Sequence, residues 1–326
     1  MALAALATSI MMYAADTYTV TVTYSGTTAT VSIPEGLADY VTCSSGTSSH
    51  VKLMQASTVG ETTTGEIFYA LSGSSTDGEF YMEGSYKATV QLNGLELTNP
   101  SGPAINIQNG KRIKVSVSKN TTNTLTDGAN DTYNGCWHCK GHTEFTGKGT
   151  LNVVGNSKHA IYSKEYIEIK NCTINITAAK KDGIHCKEYF LIESNSTVTI
   201  SGVGDDGIQV EIDDEATTTG TTTDHEDENS GNFYMTGGTL NISSYVGKAI
   251  KLDGTIATNE GTWTGFTSAD VSENNATAIS SIQSDNLTGT EAIYDLNGRQ
   301  LPANATLNKG IYIIKKGNKT TKIIVK

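Results

Sequence analysis

Residues able to do chemistry recur in this sequence at fixed offsets. His138, Tyr162, His185, Gln209 and Lys251 share one repeating position, and Lys140, Lys164, Lys187, Glu211 and Asp253 share the position two residues later. Rings beside ammonium groups suit a sugar acid, because rings offer faces to CH groups and ammonium groups pair with carboxylates. A plainer reading also fits: stacked rings and Lys–Glu neighbours such as Lys164-Glu165 and Lys187-Glu188 stabilise an exposed sheet. Three lysines in one column repel one another unless something anionic lies on them.

A second set is acidic. Asp182 and Asp206 occupy the same turn position before Gly-Ile, and Asp205 adjoins Asp206. Glu211, Asp213 and Asp214 follow, and a loop from Asp213 to Gly231 adds Asp224, Glu226, Asp227 and Glu228. Carboxylates about 4.8 Å apart on adjacent strands need a cation or a proton. Hard oxygen ligands in this number suit Ca²⁺, with Asp182, Asp205, Asp206, Glu211, Asp213 and Asp214 as the candidate ligands. The alternative is a solvated acidic loop.

These columns require elements that repeat. Trp137, Ile161, Ile184, Ile208 and Ile250 each follow a turn and a small residue, at gaps of 24, 23, 24 and 42. Phe145, Ile167, Phe190 and Phe233 open a second strand in phase, and Leu151, Ile174, Val198 and Leu240 open a third. Three strands in about 23 residues make one coil of a three-sided solenoid. The long gap is filled by the acidic loop. The expected fold is therefore all-β: a right-handed parallel β-helix with an N-terminal β cap and a small C-terminal β unit.

The remaining segments divide around those coils. Residues 1–15 read as the remnant of a signal peptide, with apolar Leu3 to Met12 followed by Ala14 and Ala15. Residues 16–100 read as cap strands and first coils, with a hairpin at Ser25-Gly26. Residues 101–255 carry the regular coils, 256–288 read as a Thr/Ser/Asn-rich linker, and 289–326 as a separate basic β unit. No other stretch is long and apolar enough to span a bilayer.

The net charge of -11 removes the basic footprint that nucleic acid requires. Cys136 and Cys139 have C-x-x-C spacing, but no second pair completes a zinc site, so the five cysteines read as small apolar residues. No serine has the setting of a nucleophile elbow.

Asp182-Gly183-Ile184, Asp206-Gly207-Ile208 and His159-Ala160-Ile161-Tyr162-Ser163-Lys164-Glu165 resemble the repeats of a bacterial carbohydrate-binding β-helix family. Ala70 to Gly78 and Val90 to Asn99 are similar to that family's lead-in, so the resemblance covers Thr64 to Asp253. It implies an extracellular, calcium-binding protein for acidic plant polysaccharide such as polygalacturonate. The implied fold is similar to β-helical pectate lyases, without implying lyase activity. Ile293 to Arg299 and Lys309 to Ile313 resemble the sorting domain of the Bacteroidetes type IX secretion system. That implies contact with export machinery and a secreted or cell-surface location. One departure is visible: His159 and Lys248 stand where other coils have Asp182 and Asp206.

The leading expectation is thus a calcium-dependent binder of acidic polysaccharide. A polysaccharide lyase would need a base, for which Lys181 and Lys158 lie nearest the acidic turn, and arginine is limited to Arg112 and Arg299. A surface adhesin or rigid spacer is the third reading.

Overall fold

The computed structural model describes residues 18–212, 228–273, 291–295, 299–302, 307, 309–316 and 319–325. The proposed signal peptide, Asp213, Asp214 and residues 274–288 of the proposed linker lie outside them. Two compact units divide the chain, Met1–Asn274 and Asn275–Lys326.

The first unit is a parallel β-solenoid of about eight turns. Each turn contributes one strand to each of three faces. The first face includes Ile113–Val117, Thr143–Gly147, Ile167–Ile169, Tyr189–Ile192 and Asn232–Met235. The second includes Thr122–Asp127, Thr150–Gly155, Thr173–Ala179, Thr197–Val203 and Thr239–Tyr245. The third runs through His50–Gln55, Glu79–Glu83, Ile105–Gln108, Gly135–Cys139, His159–Ser163, Ile184–Lys187, Ile208–Glu211 and Ile250–Leu252. The 12-residue strand Ala88–Asn99 spans two faces. Its first half pairs with Ile113–Val117 and its second half with Thr122–Asp127, which joins both faces into one sheet.

Alternation along each strand sends apolar side chains inward. Trp137, Ile161, Ile184, Ile208 and Ile250 pair in register, and all are fully buried. Phe145, Phe190 and Phe233 fill the first-face side of the same core. Four of the cysteines, Cys136, Cys139, Cys172 and Cys186, lie in this core as free thiols. Burial pushes the Cys139 thiol up to about 11. Outside, the second face carries a column of Thr122, Thr150, Thr173, Thr197, Thr239 and Thr262, in register over six strands. Branched side chains favour this pleated surface, which is why the composition is so rich in threonine.

The N-terminal edge is covered as expected. Thr19–Ser25 and Thr28–Ser32 form the antiparallel hairpin, and Thr19–Ser25 also pairs in parallel with Ile67–Ser75. Leu37, Val41 and Val59 close the end of the core.

One boundary differs from the sequence reading. Residues 256–273, placed at the start of a linker, add a further turn to the solenoid. Ile256–Asn259, Thr262–Thr264 and Val271–Glu273 pair in parallel with the preceding coil on all three faces. Each of these short strands sends few apolar side chains toward the core, chiefly Ile256, Trp263 and Val271, so the apolar rhythm fades before the fold ends. The second unit is an antiparallel sheet of Glu291–Tyr294, Gln300–Leu301, Gly310–Lys316 and Lys319–Val325.

Corners between faces are held by side chains that reach to the next coil. Asp127 Oδ1 accepts the backbone N–H groups of Asn156 and Ser157, while its Oδ2 is buried without a partner. Burial raises its carboxyl to about 6, against the pull of those backbone bonds. A raised carboxyl stabilises the fold most below its unfolded value, and that stability is lost as pH rises through about 6. The stability of the wild type relative to Asp127→Asn should therefore grow by about 2–3 kcal/mol between pH 7 and pH 4. Urea denaturation at several pH values checks this, and a difference that does not vary with pH refutes it.

Candidate functional site

The outward positions of the third face form one continuous ladder. It runs Lys52, Tyr81, Asn106, His138, Tyr162, His185, Gln209, Lys251, Ser272. The repeat period alone places five of its members, His138 to Lys251, in this register. Lys52 and Tyr81 were missed, because their coils lack the turn and small residue that mark the later ones, and Asn106 follows an earlier copy of the repeat, Gly102-Pro103-Ala104-Ile105. Lys52 Nζ lies 4.7 Å from the centre of the Tyr81 ring.

The rings do not form an open platform, and here the sequence expectation is corrected. His138 and Tyr162 stack at 5.2 Å with planes 9° apart, and Tyr162 and His185 follow at 5.6 Å. His138, Tyr162 and His185 are only 7%, 9% and 8% exposed. Strand spacing of about 4.8 Å turns each ring face onto the ring above or below. Polar ring atoms are engaged within the protein, with Asn134 N–H donating to His138 Nδ1 and His185 Nδ1 against Asp182 Oδ2, so this strip cannot stack flat on a sugar. Burial, helped by Lys140 and Lys158, lowers His138 to about 4, so it is neutral at physiological pH.

Lys140 and Lys164 are exposed beside this strip, and Lys187 is half-buried. Lys187 Nζ lies 3.8 Å from Glu211 Oε2, and Glu165 contacts His142. Gln209 donates to Glu211 Oε1 at 3.2 Å. Lys158, one candidate base, donates to Asp131 O and Asn134 Oδ1 at 3.3 and 3.2 Å, a setting suited to holding a loop rather than moving a proton.

The turn position two residues before each inward anchor makes a second ladder. His159, Asp182, Asp206 and Lys248 succeed one another there. Asp182 and Asp206 each accept the backbone N–H of the next coil, and His159 Nδ1 stands in the same place one coil earlier. Asp182 N–H points to His159 Nδ1 at 3.3 Å, Asp206 N–H to Asp182 Oδ1 at 3.0 Å, and Lys248 N–H to Asp206 Oδ1 at 2.6 Å. Gly183 and Gly207 follow because nothing larger fits. A Cβ on Gly183 would lie 2.7 Å from Gly207 O and 2.6 Å from Ile200.

Asp182 is the centre of this ladder. Its Oδ2 lies 3.0 Å from His159 Nδ1 and 2.9 Å from His185 Nδ1. Burial opposes its charge, but the bonds from His159 and His185 outweigh it and hold the carboxyl far below the usual range. His185 is raised: burial works against the cation, and Asp182 and Glu211 overcome it. Burial lowers His159 despite Asp182. Asp206 is raised by burial, and its Oδ2 is buried with no hydrogen bond, although Lys251 Nζ stands 3.3 Å away.

The structure thus brings Asp182, Asp205 and Asp206 together, with ligand oxygens within 4.8 Å of one another. Glu211 is not with them: it sits at His185 and Lys187, 3.6 Å from His185 Nε2. Asp213 and Asp214 lie outside the described residues. Asp206 Oδ2 is ion-paired with Lys251 beside the exposed Asp205, so a hard cation there would compete with Lys251 for the same oxygen. His159 was read from sequence only as a departure from the Asp pattern. Its contact with Asp182 joins residues 23 positions apart, which only the coil register makes neighbours.

A family model described as carbohydrate-binding domain-containing protein matches residues 55–301. The chain belongs to that family. The match begins in the cap-proximal coils, includes both ladders apart from Lys52, and extends beyond the last described turn of the solenoid. A solved structure of the polysaccharide lyase-like protein from C. thermocellum, as a gadolinium derivative, is similar at 18% identity with a TM-score of 0.53. The similarity covers 78% of this chain and 99% of that one, and it shows a shared fold. No curated protein matches the sequence. Among the described residues, no helix is long and apolar enough to cross a membrane.

Proposed function

We propose that this carbohydrate-binding chain takes acidic polysaccharide along its third face, outside the cell, with Ca²⁺ assisting. The observation that carries this reading is the column Lys140, Lys164, Lys187, one lysine per coil. Ammonium groups about 4.8 Å apart along the axis suit a polymer bearing one carboxylate per sugar. Asp205 and Asp206, with Asp182, would hold the Ca²⁺, and the polymer's carboxylates would complete its oxygen shell. The basic C-terminal sheet would serve export and surface attachment.

The test measures retention on polygalacturonate with calcium and again with chelator, while ultraviolet absorbance is followed for unsaturated product. Retention that needs calcium, at constant absorbance, supports a binder. Rising absorbance makes the chain a lyase. Absence of retention in both conditions leaves the adhesin or spacer.

Neutralising the lysine column sharpens the test. Lys140→Gln, Lys164→Gln and Lys187→Gln together should weaken polygalacturonate binding about tenfold at low salt, since each exposed ion pair contributes up to about 1 kcal/mol. The effect should shrink as salt screens it. Equal binding by the triple variant at low salt would place the polymer on another face.

A further inference from the structure

We propose that His159, Asp182 and His185 form a binding site for a divalent transition-metal ion, Zn²⁺ by its chemistry, sharing only Asp182 with the carboxylate set above. The two Nδ1 atoms and one carboxylate oxygen converge within 4.8 Å, with His–Asp separations of 3.0 and 2.9 Å. Zinc bonds of about 2.0–2.1 Å place tetrahedral ligand atoms ~3.3 Å apart, so each contact needs to open by only a few tenths of an ångström. Two imidazoles and one carboxylate select zinc, cobalt or nickel over calcium, which takes oxygen shells. The residues are 7%, 1% and 8% exposed, so little water competes.

His159 Nδ1 approaches Asp182 Oδ2 at 3.0 Å, where a metal would replace the proton that the two share. On the far side of His185, Glu211 Oε2 lies 3.6 Å from Nε2, the carboxylate–imidazole arrangement that orients metal-bound histidine. Metal binding would displace the proton between His185 and Asp182, so affinity should fall in acid. Three protein ligands leave a coordination position for water or a ligand atom.

The test is titration of the full chain with Co²⁺, read by its visible absorption band. The expected result is a saturable band that Zn²⁺ abolishes and a large excess of Ca²⁺ does not. His159→Gln and His185→Gln should each weaken Co²⁺ binding at least a hundredfold, and Asp205→Asn should not. Gln at 159 retains an acceptor for the Asp182 N–H, and circular dichroism confirms folding. A second readout covers loss of folding: Zn²⁺ should raise the melting temperature of the wild type. A wild type with neither band nor shift, displacement by Ca²⁺, or undiminished binding by His159→Gln overturns the proposal. None of these readings involves polysaccharide, so failure here is separate from failure of the binding function.

Discussion

Asp182→Ala is expected to cost about 3–5 kcal/mol of stability, as removal of one partner from a buried charged network does. Three groups lose their partner at once. Asp206 N–H loses the acceptor at 3.0 Å, and His159 and His185 lose the carboxylate between them. His185 would then face only Glu211, and a buried imidazolium without its nearer counter-ion is costly. Asp182→Asn should cost distinctly less, because an amide oxygen can still accept the Asp206 N–H. The two variants, compared by urea denaturation, separate the backbone rung from the charge. Equal losses in both would mean that the rung contributes little.

The same network has a pH signature of two opposite signs. Asp182 is lowered, so its contribution is present above the unfolded carboxylate value and is lost only as pH falls through a still lower one. His185 is raised, so its contribution is present below the unfolded imidazole value and is lost as pH rises through its folded value. The stability lost in Asp182→Ala should therefore be largest between these limits, in mildly acidic solution. It should shrink toward alkaline pH.

Trp137→Ala should be as damaging, at about 3–5 kcal/mol. Trp137 is fully buried and pairs in register with Ile105 on one side and Ile161 on the other. Its ring centre lies 5.3 Å from that of Phe145 across the core. Coils above and below are fixed by their own hydrogen bonds, so the cavity cannot collapse along the axis. Trp137→Phe should be far milder. It leaves a smaller void and removes an indole N–H that is buried without a partner. A thermal melt of both variants decides the matter, and similar losses would show that the core relaxes around the site.

The period of the solenoid was legible because it is written three times. Trp137, Ile161, Ile184, Ile208 and Ile250 pair in that phase, as do Ile167 with Phe190 and Leu151 with Ile174 and Val198, whereas Phe145 pairs with Ile169, two residues beyond the expected partner. The final turn escaped, since Ile256, Trp263 and Val271 are spaced irregularly among threonines. Phe80 escaped for a similar reason, since it lies in the third-face stack without the later coils' signature, whereas Gly102-Pro103-Ala104-Ile105 reads as an earlier copy of the repeat and Ile105 does pair with Trp137.

The site was half legible. Period alone placed His138, Tyr162 and His185 on one outward column, and Asp182 with Asp206 on another. Whether a ring offers its face or its edge depends on the side-chain angle at a fixed strand spacing, and no residue type encodes that. The role of His159 was hidden more deeply. In the list of coils it looks like a failure of the Asp rule, yet in space it is the partner of the Asp below it.

One seam in the solenoid has a use beyond this chain. The polypeptide leaves the third face after Glu211 and returns on the first face at Asn232, yet Gln209 still pairs with Lys251 and Phe190 with Phe233. The neighbouring coils do not register how much chain is spent between those two points. Such a junction is a natural splice site, where evolution or an engineer can exchange the excursion for another peptide, an epitope or a whole domain, and leave the scaffold that displays it unaltered.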